Sequence, residues 1–359
     1  MHHLLVALTA HGFGHVAQTA PVINALRRRF PALRLTLYTD IPRKLLVKRF
    51  EGEFELIARA PDVGLRMKHA LEVDVAASAR AYKHYHRDWQ QAVAAEARLL
   101  TSHAPDAVLA NVPYRILAAA AQADIPALAM CSLNWADVYG HYCGQLPGAT
   151  SILAEMRTAY RTARAFLQPA PSMPMPDLDN ISAIGPIARL GNDLRDTIRR
   201  RLDLPDAAQL LLVSLGGVPI QLNLADWPAR PGVYWIVPAA WDPQRRDTIA
   251  FESLAMNFVD VMRSADALIT KPGYGNFVEA ACNGVPILYV PRPDWPEQDY
   301  LVNWLQRHGR CLTIDRDQLQ QGTLSTALEE LFALTPRAPV APTGIDDAVA
   351  HLTALLGGG

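Results

Sequence analysis

Residues 11–15 read His-Gly-Phe-Gly-His, and residues 271–275 read Lys-Pro-Gly-Tyr-Gly. Each stretch follows a short apolar run, Leu4–Thr9 in one case and Ala267–Thr270 in the other, and each precedes a helical pattern. Glycines at a strand-to-helix turn let the backbone come close to a ligand. The helix start behind them presents unpaired N–H groups and a partial positive charge, which suit an anion or a polar substrate group. A histidine at the mouth of the first turn can take a proton from an attacking hydroxyl near neutral pH. His15 is the first candidate for that base and His11 the second. Gly12 and Gly14 shape the turn and are expected to border the bound donor. It is not a dinucleotide fingerprint, because Ala17 stands where the third glycine of GxGxxG is required.

The second turn is built for phosphate. Gly273 and Gly275 allow close approach, Tyr274 and Asn276 flank the helix start, and Lys271 adds a full charge. Glu279 lies further along that helix, where a carboxylate can accept both hydroxyls of a ribose. Glu297 and Gln298 follow the next strand, beyond Pro291, and reach toward sugar hydroxyls. Gly216 and Gly217 end the first strand of the same half and close the other side of the phosphates. Asn134, Trp135, Tyr139 and His141 follow a first-half strand, where loops carry binding residues. Aromatic side chains there can stack on a sugar, or simply pack the loop.

These residues need a scaffold that brings strand ends together. Apolar runs of five to seven residues alternate with longer helical patterns, which is the signature of α/β architecture with buried parallel strands. Strands are expected at Leu4–Thr9, Leu33–Tyr38, Phe54–Ala58, Ala107–Ala110, Ala127–Cys131 and Ile181–Ile187. Helices are expected at Ala17–Phe30, Arg115–Ala123 and, as one long alanine-rich element, Ala76–His103. The prolines between Gln168 and Asp179 rule out regular structure there. After Arg195 the alternation restarts, with strands at Leu210–Leu215, Val233–Val237, Ala267–Thr270, Pro286–Val290 and Arg310–Ile314. The helices of this half are Asn276–Asn283, Gln298–His308 and a closing Asp346–Leu356. The reading is two Rossmann-like, doubly wound domains facing a central cleft, 1–186 and 187–359, with the last helix able to pack back on the first.

Composition bounds the rest. The chain has 359 residues, half of them hydrophobic and 19% charged, with net charge -1. That suits two domains of about 150 to 190 residues and gives a nucleic-acid partner no long-range pull. The four cysteines are scattered without a CxxC pair, so neither a zinc knuckle nor a disulfide framework is indicated, and a reducing, cytoplasmic compartment fits. No run reaches the ~20 apolar residues that span a bilayer. Arg27-Arg28-Arg29 leaves room for a weak peripheral contact with anionic lipid.

The assembly resembles the GT-B glycosyltransferases over essentially the whole chain. Gly14-His15 is similar to the glycine–histidine turn of the bacterial peptidoglycan N-acetylglucosaminyltransferases and the UDP-glycosyltransferases. Glu279, Gly284-Val285-Pro286, Pro291, Glu297-Gln298 and Asn303 resemble the family's donor-binding stretch. The wording KPGYGNFVEA (271–280) and VPRPDWPEQDYLVNWL (290–305) is closest to the glycosyltransferase-like domain fused to plant L-arabinokinases. The resemblance implies that Glu279 holds the donor ribose and that Glu297-Gln298 touch the donor sugar. It also implies that His15 acts as base in an inverting transfer from a nucleotide-diphosphate sugar, such as a UDP-sugar, to an acceptor hydroxyl. No metal or other cofactor is expected. In plant members an aspartate steadies the base; here Asn111 stands in its place on the acceptor side, and an amide cannot stabilise an imidazolium as a carboxylate does. A nucleotide-sugar hydrolase or epimerase on the same scaffold, and a non-catalytic sugar-nucleotide binder, are the alternatives.

Overall fold

A computed structural model describes residues 2–12, 14–69, 72–216, 222–241 and 245–357. It divides into two units, Met1–Ile187 with Thr343–Gly359, and Ala188–Pro342. The first unit contains strands β1 (His3–Leu8), β2 (Arg34–Tyr38), β3 (Glu55–Ile57), β4 (Met67–His69), β5 (Glu72–Val73), β6 (Ala107–Asn111), β7 (Ala127–Met130), β8 (Ala165–Pro169) and β9 (Ile181–Ile184). The second contains β10 (Gln209–Ser214), β11 (Val233–Val237), β12 (Thr248–Ala250), β13 (Ala267–Thr270), β14 (Ile287–Tyr289) and β15 (Cys311–Thr313). The longest apolar runs became the central strands: β1 and β6 are buried along their whole length, as strands covered by helices on both faces must be.

The main sheet of the first unit runs β3-β2-β1-β6-β7-β8-β9, with every neighbouring pair parallel. β4 and β5 form a separate antiparallel hairpin. The direction of winding reverses between β1 and β6, where Leu8 lies opposite Asn111. The sheet of the second unit runs β12-β11-β10-β13-β14-β15, again all parallel. It reverses between β10 and β13, where Ser214 lies opposite Thr270. Open α/β sheets bind ligands at the carboxyl ends of strands beside such a reversal. The layout is that of the GT-B fold.

The last helix, Gly344–Gly357, belongs to the first unit and packs on the helix Gly14–Arg29. The Gly185 N–H donates to Asp347 Oδ2 at 2.9 Å, which ties that helix to the end of β9. In the second unit, apolar residues of β10, β11 and β13 pack with Trp227 and the helix Ser325–Ala333 into one core. Trp227 meets Trp235 edge to face at 4.8 Å.

Three expectations are corrected. The long helix Ala76–His103 is two helices, Val75–Tyr85 and Trp89–His103. His86 breaks it, because tertiary contacts outbid alanine-rich propensity. Its Nδ1 lies 2.6 Å from Glu155 Oε2, its Nε2 lies 2.7 Å from the Tyr114 hydroxyl, and its ring stacks on Trp89 at 4.8 Å. The proline-rich stretch begins later than expected, because Gln168 and Pro169 complete β8. Pro169 sits at that strand's last position, where a missing N–H breaks little of the ladder. The segment after β7, expected as a loop, is the helix Trp135–Cys143, capped by Asn134.

Two further points concern the surface. Among the described residues no helix is long and apolar enough to cross a membrane. Arg27 hydrogen-bonds the carbonyls of Glu51 and Glu53, and Arg28 pairs with the Glu51 carboxylate at 3.4 Å. Two members of the basic triplet are therefore engaged within the fold.

Candidate active site

In the first unit the chain leaves β1 through Thr9 and turns at Gly12, whose φ of 96° only glycine adopts without strain. The helix then begins at Gly14, where an added Cβ would meet nothing within 4 Å. His15, in its first turn, is 7% exposed. Its Nδ1 lies 2.8 Å from Oδ1 of Asn111, the last residue of β6. The orientation of the Asn111 amide is set by its other end: Nδ2 donates to Gln18 Oε1 at 3.2 Å and to Thr19 Oγ1 at 3.0 Å. Gln18 in turn donates to Ser132 Oγ at 2.9 Å. Asn111 Oδ1 can therefore only accept, so His15 Nδ1 carries the proton and Nε2 keeps a lone pair. That is the tautomer a general base needs.

Burial lowers the His15 pKa to about 4, against the Asn111 hydrogen bond, which raises it. The imidazole is thus neutral at pH 7 and poorly able to hold a proton. The sequence identified Asn111 by its departure from the family aspartate. The structure makes it the direct partner of His15. Replacing Asn111 by aspartate should raise the His15 pKa well above 4, because a carboxylate favours the imidazolium. An NMR titration of the His15 ring signals measures this; an unmoved midpoint contradicts the assigned hydrogen bond.

His11 is half-buried and meets the Trp135 ring edge-on at 5.2 Å; His15 faces the same ring at 6.1 Å. The residues expected on the acceptor side have other duties. Trp135 is 0% exposed, so it offers no face on which a sugar can stack. Its indole N–H donates to Asp62 Oδ2 at 2.8 Å. Asn134 Oδ1 accepts the Asp137 N–H at 2.8 Å and its Nδ2 donates to Asp137 Oδ2 at 2.6 Å, so its amide is spent on the helix cap. Tyr139 is buried against Tyr82, whereas His141 is exposed.

In the second unit, β13 passes through Lys271 into the helix Tyr274–Asn283. Gly273 is the N-cap, with no side-chain cap bond and nothing within 4 Å of an added Cβ. The helix begins earlier than expected, so Tyr274, Gly275 and Asn276 form its first turn. The Tyr274 side chain is buried. Asn276 faces inward: its Nδ2 donates to Ser214 O at 3.1 Å and Thr270 Oγ1 at 2.8 Å, bracing the ends of β10 and β13. Gly216, two residues past β10, has φ 83°, and a Cβ there would come within 3.3 Å of Lys271 Cε. The lysine stem therefore lies over this glycine. Gly217 falls outside the described residues.

Burial, joined by the Arg292 guanidinium, lowers the Lys271 pKa to about 8. Arg292, three residues past β14 on the neighbouring strand, was not singled out from the sequence. It is 8% exposed and its guanidinium sits 4.3 Å over the Trp295 ring. Lys271 extends one strand end and Arg292 the next, and Val290 N–H donates to Thr270 O at 3.0 Å between them. The sequence showed both cations, but not that their strands are adjacent.

Glu279 is buried and pairs with Arg189 at 3.5 Å. Glu297 is buried and accepts the Trp295 indole N–H at 3.2 Å. Gln298 accepts the Arg292 backbone N–H through Oε1. Glu297 and Gln298, expected to reach outward to sugar hydroxyls, thus brace the loop that carries Arg292. Among the described residues, no group of three or more His, Cys, Asp or Glu side chains could hold a metal ion.

Comparison with known proteins agrees with this layout. Residues 243–342 match the glycosyltransferase family 28 C-terminal domain. The chain is 24% identical over 355 residues to an L-arabinokinase of Arabidopsis thaliana, covering 93% of this chain and 32% of that protein. It thus spans about a third of that relative's length. It is 22% identical over 301 residues to an uncharacterised glycosyltransferase of Methanopyrus kandleri, covering 78% of each chain. Among solved structures, a calicheamicin glycosyltransferase superposes with a TM-score of 0.62 at 19% identity, covering 100% of this chain and 94% of that one.

Proposed function

We propose that this chain, which has the GT-B fold and carries a glycosyltransferase family 28 C-terminal domain over residues 243–342, moves a sugar from a nucleotide-diphosphate donor to an acceptor hydroxyl. The observation that carries the reading is the anion-binding set at the reversal of the second sheet. Lys271 and Arg292 extend adjacent strand ends beside the helix N-terminus that begins at the Gly273 cap. Two cations beside the positive end of a helix match a diphosphate.

The first unit supplies the base. His15 Nε2 takes the proton of the acceptor hydroxyl as its oxygen attacks the anomeric carbon. The bond from that carbon to the diphosphate oxygen breaks, and the electron pair leaves with the nucleotide diphosphate, so the anomeric centre inverts. Lys271 and Arg292 stabilise the charge that gathers on the leaving group. No step calls for a metal. Glu279 exchanges Arg189 for the ribose hydroxyls.

Thermal unfolding with UDP, dTDP, GDP, their sugars and the corresponding monophosphates tests the donor site. A matched diphosphate at about 1,000 times its dissociation constant adds roughly 4 kcal/mol. Glu279→Ala should reduce that shift. If no diphosphate nucleotide stabilises the protein, the reading is wrong. Incubation with the stabilising nucleotide sugar then separates the chemistries. Slow release of free sugar, accelerated by an acceptor, supports transfer; rapid release without one makes the chain a hydrolase.

A further inference from the structure

One buried acid beside the histidine turn has no part in the reaction above. The loop after β3 crosses the end of β1, and Asp62 within it is 8% exposed. Its Oδ1 accepts the Thr9 hydroxyl at 2.9 Å and its Oδ2 accepts the Trp135 indole N–H at 2.8 Å. Thr9 directly follows β1, and Trp135 opens the helix after β7. Two residues on, Gly64 adopts φ 52° and lies so close to His11 that a Cβ would come within 3.1 Å of Nδ1. The same loop thus touches His11 directly and grips the indole on which both histidines rest.

Holding a carboxylate here is costly. Burial outweighs the hydrogen bonds from Trp135 and Thr9, which pull the other way, and leaves the Asp62 pKa raised to about 6. An apolar side chain would fill this space without that penalty but would hold nothing in register. The register matters because the in-plane contacts of His15 converge on Nδ1, which lies 2.8 Å from Asn111 Oδ1 and 3.6 Å from Cys131 Sγ. Contacts at one nitrogen place that nitrogen but leave the ring able to roll about it. The flanking indole supplies the second constraint, on the ring plane.

We propose that Asp62 is a positioning residue for the histidine turn: by accepting Thr9 and Trp135 together it fixes the indole wall against which His11 and His15 are set. This rests on the reading of His15 as the base. Asp62 itself touches no reacting atom. It acts through Trp135, and a misplacement of about 1 Å at a base is enough to cost roughly a hundredfold in rate.

The test uses the full chain carrying Asp62→Ala, Asp62→Asn, Trp135→Phe, or Asp62→Ala with Trp135→Phe. The alanine variant should lose roughly tenfold to a hundredfold in kcat, with donor KM and the nucleotide-induced rise in Tm as in wild type. The asparagine variant should regain most of the rate, because its amide oxygen accepts the indole and its NH2 donates to Thr9. The double variant should be no slower than Asp62→Ala alone. Wild-type kcat in Asp62→Ala overturns the proposal. So does an asparagine variant as slow as alanine, which would make charge and not position the contribution, and so do additive losses in the double variant. Trp135→Phe gives the same split of kcat from KM by a second route if the alanine variant does not fold. Spectra of 15N-histidine-labelled protein judge the proposal without turnover. The His11 and His15 ring signals should move in Asp62→Ala and stay in Asp62→Asn; unmoved signals in the alanine variant refute positioning even if the wild type proves to transfer no sugar.

Discussion

Replacing His15 with alanine is expected to abolish sugar transfer while leaving nucleotide binding intact. A positioned general base contributes on the order of 10² to 10⁴ in rate. His11 packs edge-on against the same indole at 5.2 Å, whereas His15 Nδ1 is held by Asn111. The nucleotide is assigned to Lys271, Arg292 and Glu279, all in the second unit, so its dissociation constant should not change. The pH dependence is a second handle. With a pKa of about 4, His15 is already deprotonated across the neutral range, so the acid limb of kcat/KM should fall near pH 4 and not near 6.5. Stopped assays from pH 3.5 to 9 and calorimetry with the nucleotide measure both. Full rate in His15→Ala would move the base to His11 or remove it.

The next largest effect should come from Lys271. A charge-assisted hydrogen bond to phosphate is worth about 1.5–3 kcal/mol, so Lys271→Ala should weaken a nucleotide diphosphate roughly tenfold to a hundredfold. Arg292→Ala should do the same. Each should affect the monophosphate much less, since its single phosphate meets fewer of the donors.

The sign of the pH dependence follows from the lysine's environment. In the free protein its pKa is lowered to about 8, and a bound dianion favours the charged form and raises it. Affinity is therefore greatest below pH 8 and declines as pH rises from 8 toward the liganded value. In Arg292→Ala the lysine loses a like charge, its pKa rises, and the decline should begin at higher pH. Calorimetric titrations of UDP between pH 6 and 10 read all of this. A flat profile through pH 8–10 would mean that Lys271 does not meet the phosphates.

Much of the site was legible from local pattern. The glycine turns with His15 and Lys271 stand out because a turn after an apolar run needs no distant information: the strand, the glycines and the helix start are all within a dozen residues. The helix expected to end at Asn283 does end there, and Gly284 closes it at φ 73°. Other assignments failed where distant contacts outweighed local ones. The alanine-rich stretch 76–103 has the propensity of one helix, and the buried bonds of His86 to Glu155 and Tyr114 divide it. Asn134 and Trp135 looked like loop residues for an acceptor, and they are a helix cap and a buried wall.

From the residues alone came the alternation of strands with helices, its restart after Arg195, and a histidine and a lysine each placed in a glycine turn behind a strand. Which of these residues become neighbours depends on the packing of the whole fold. Asn111 reaches His15 across 96 positions because β6 pairs with β1. Arg292 joins Lys271 because β14 pairs with β13. Asp62 meets Trp135 across 73 positions because a loop folds over the strand ends. Periodicity reports the faces of one element over a few residues. Strand order is settled by the burial of all the elements together, so the partners of a catalytic group cannot be read from the residues around it.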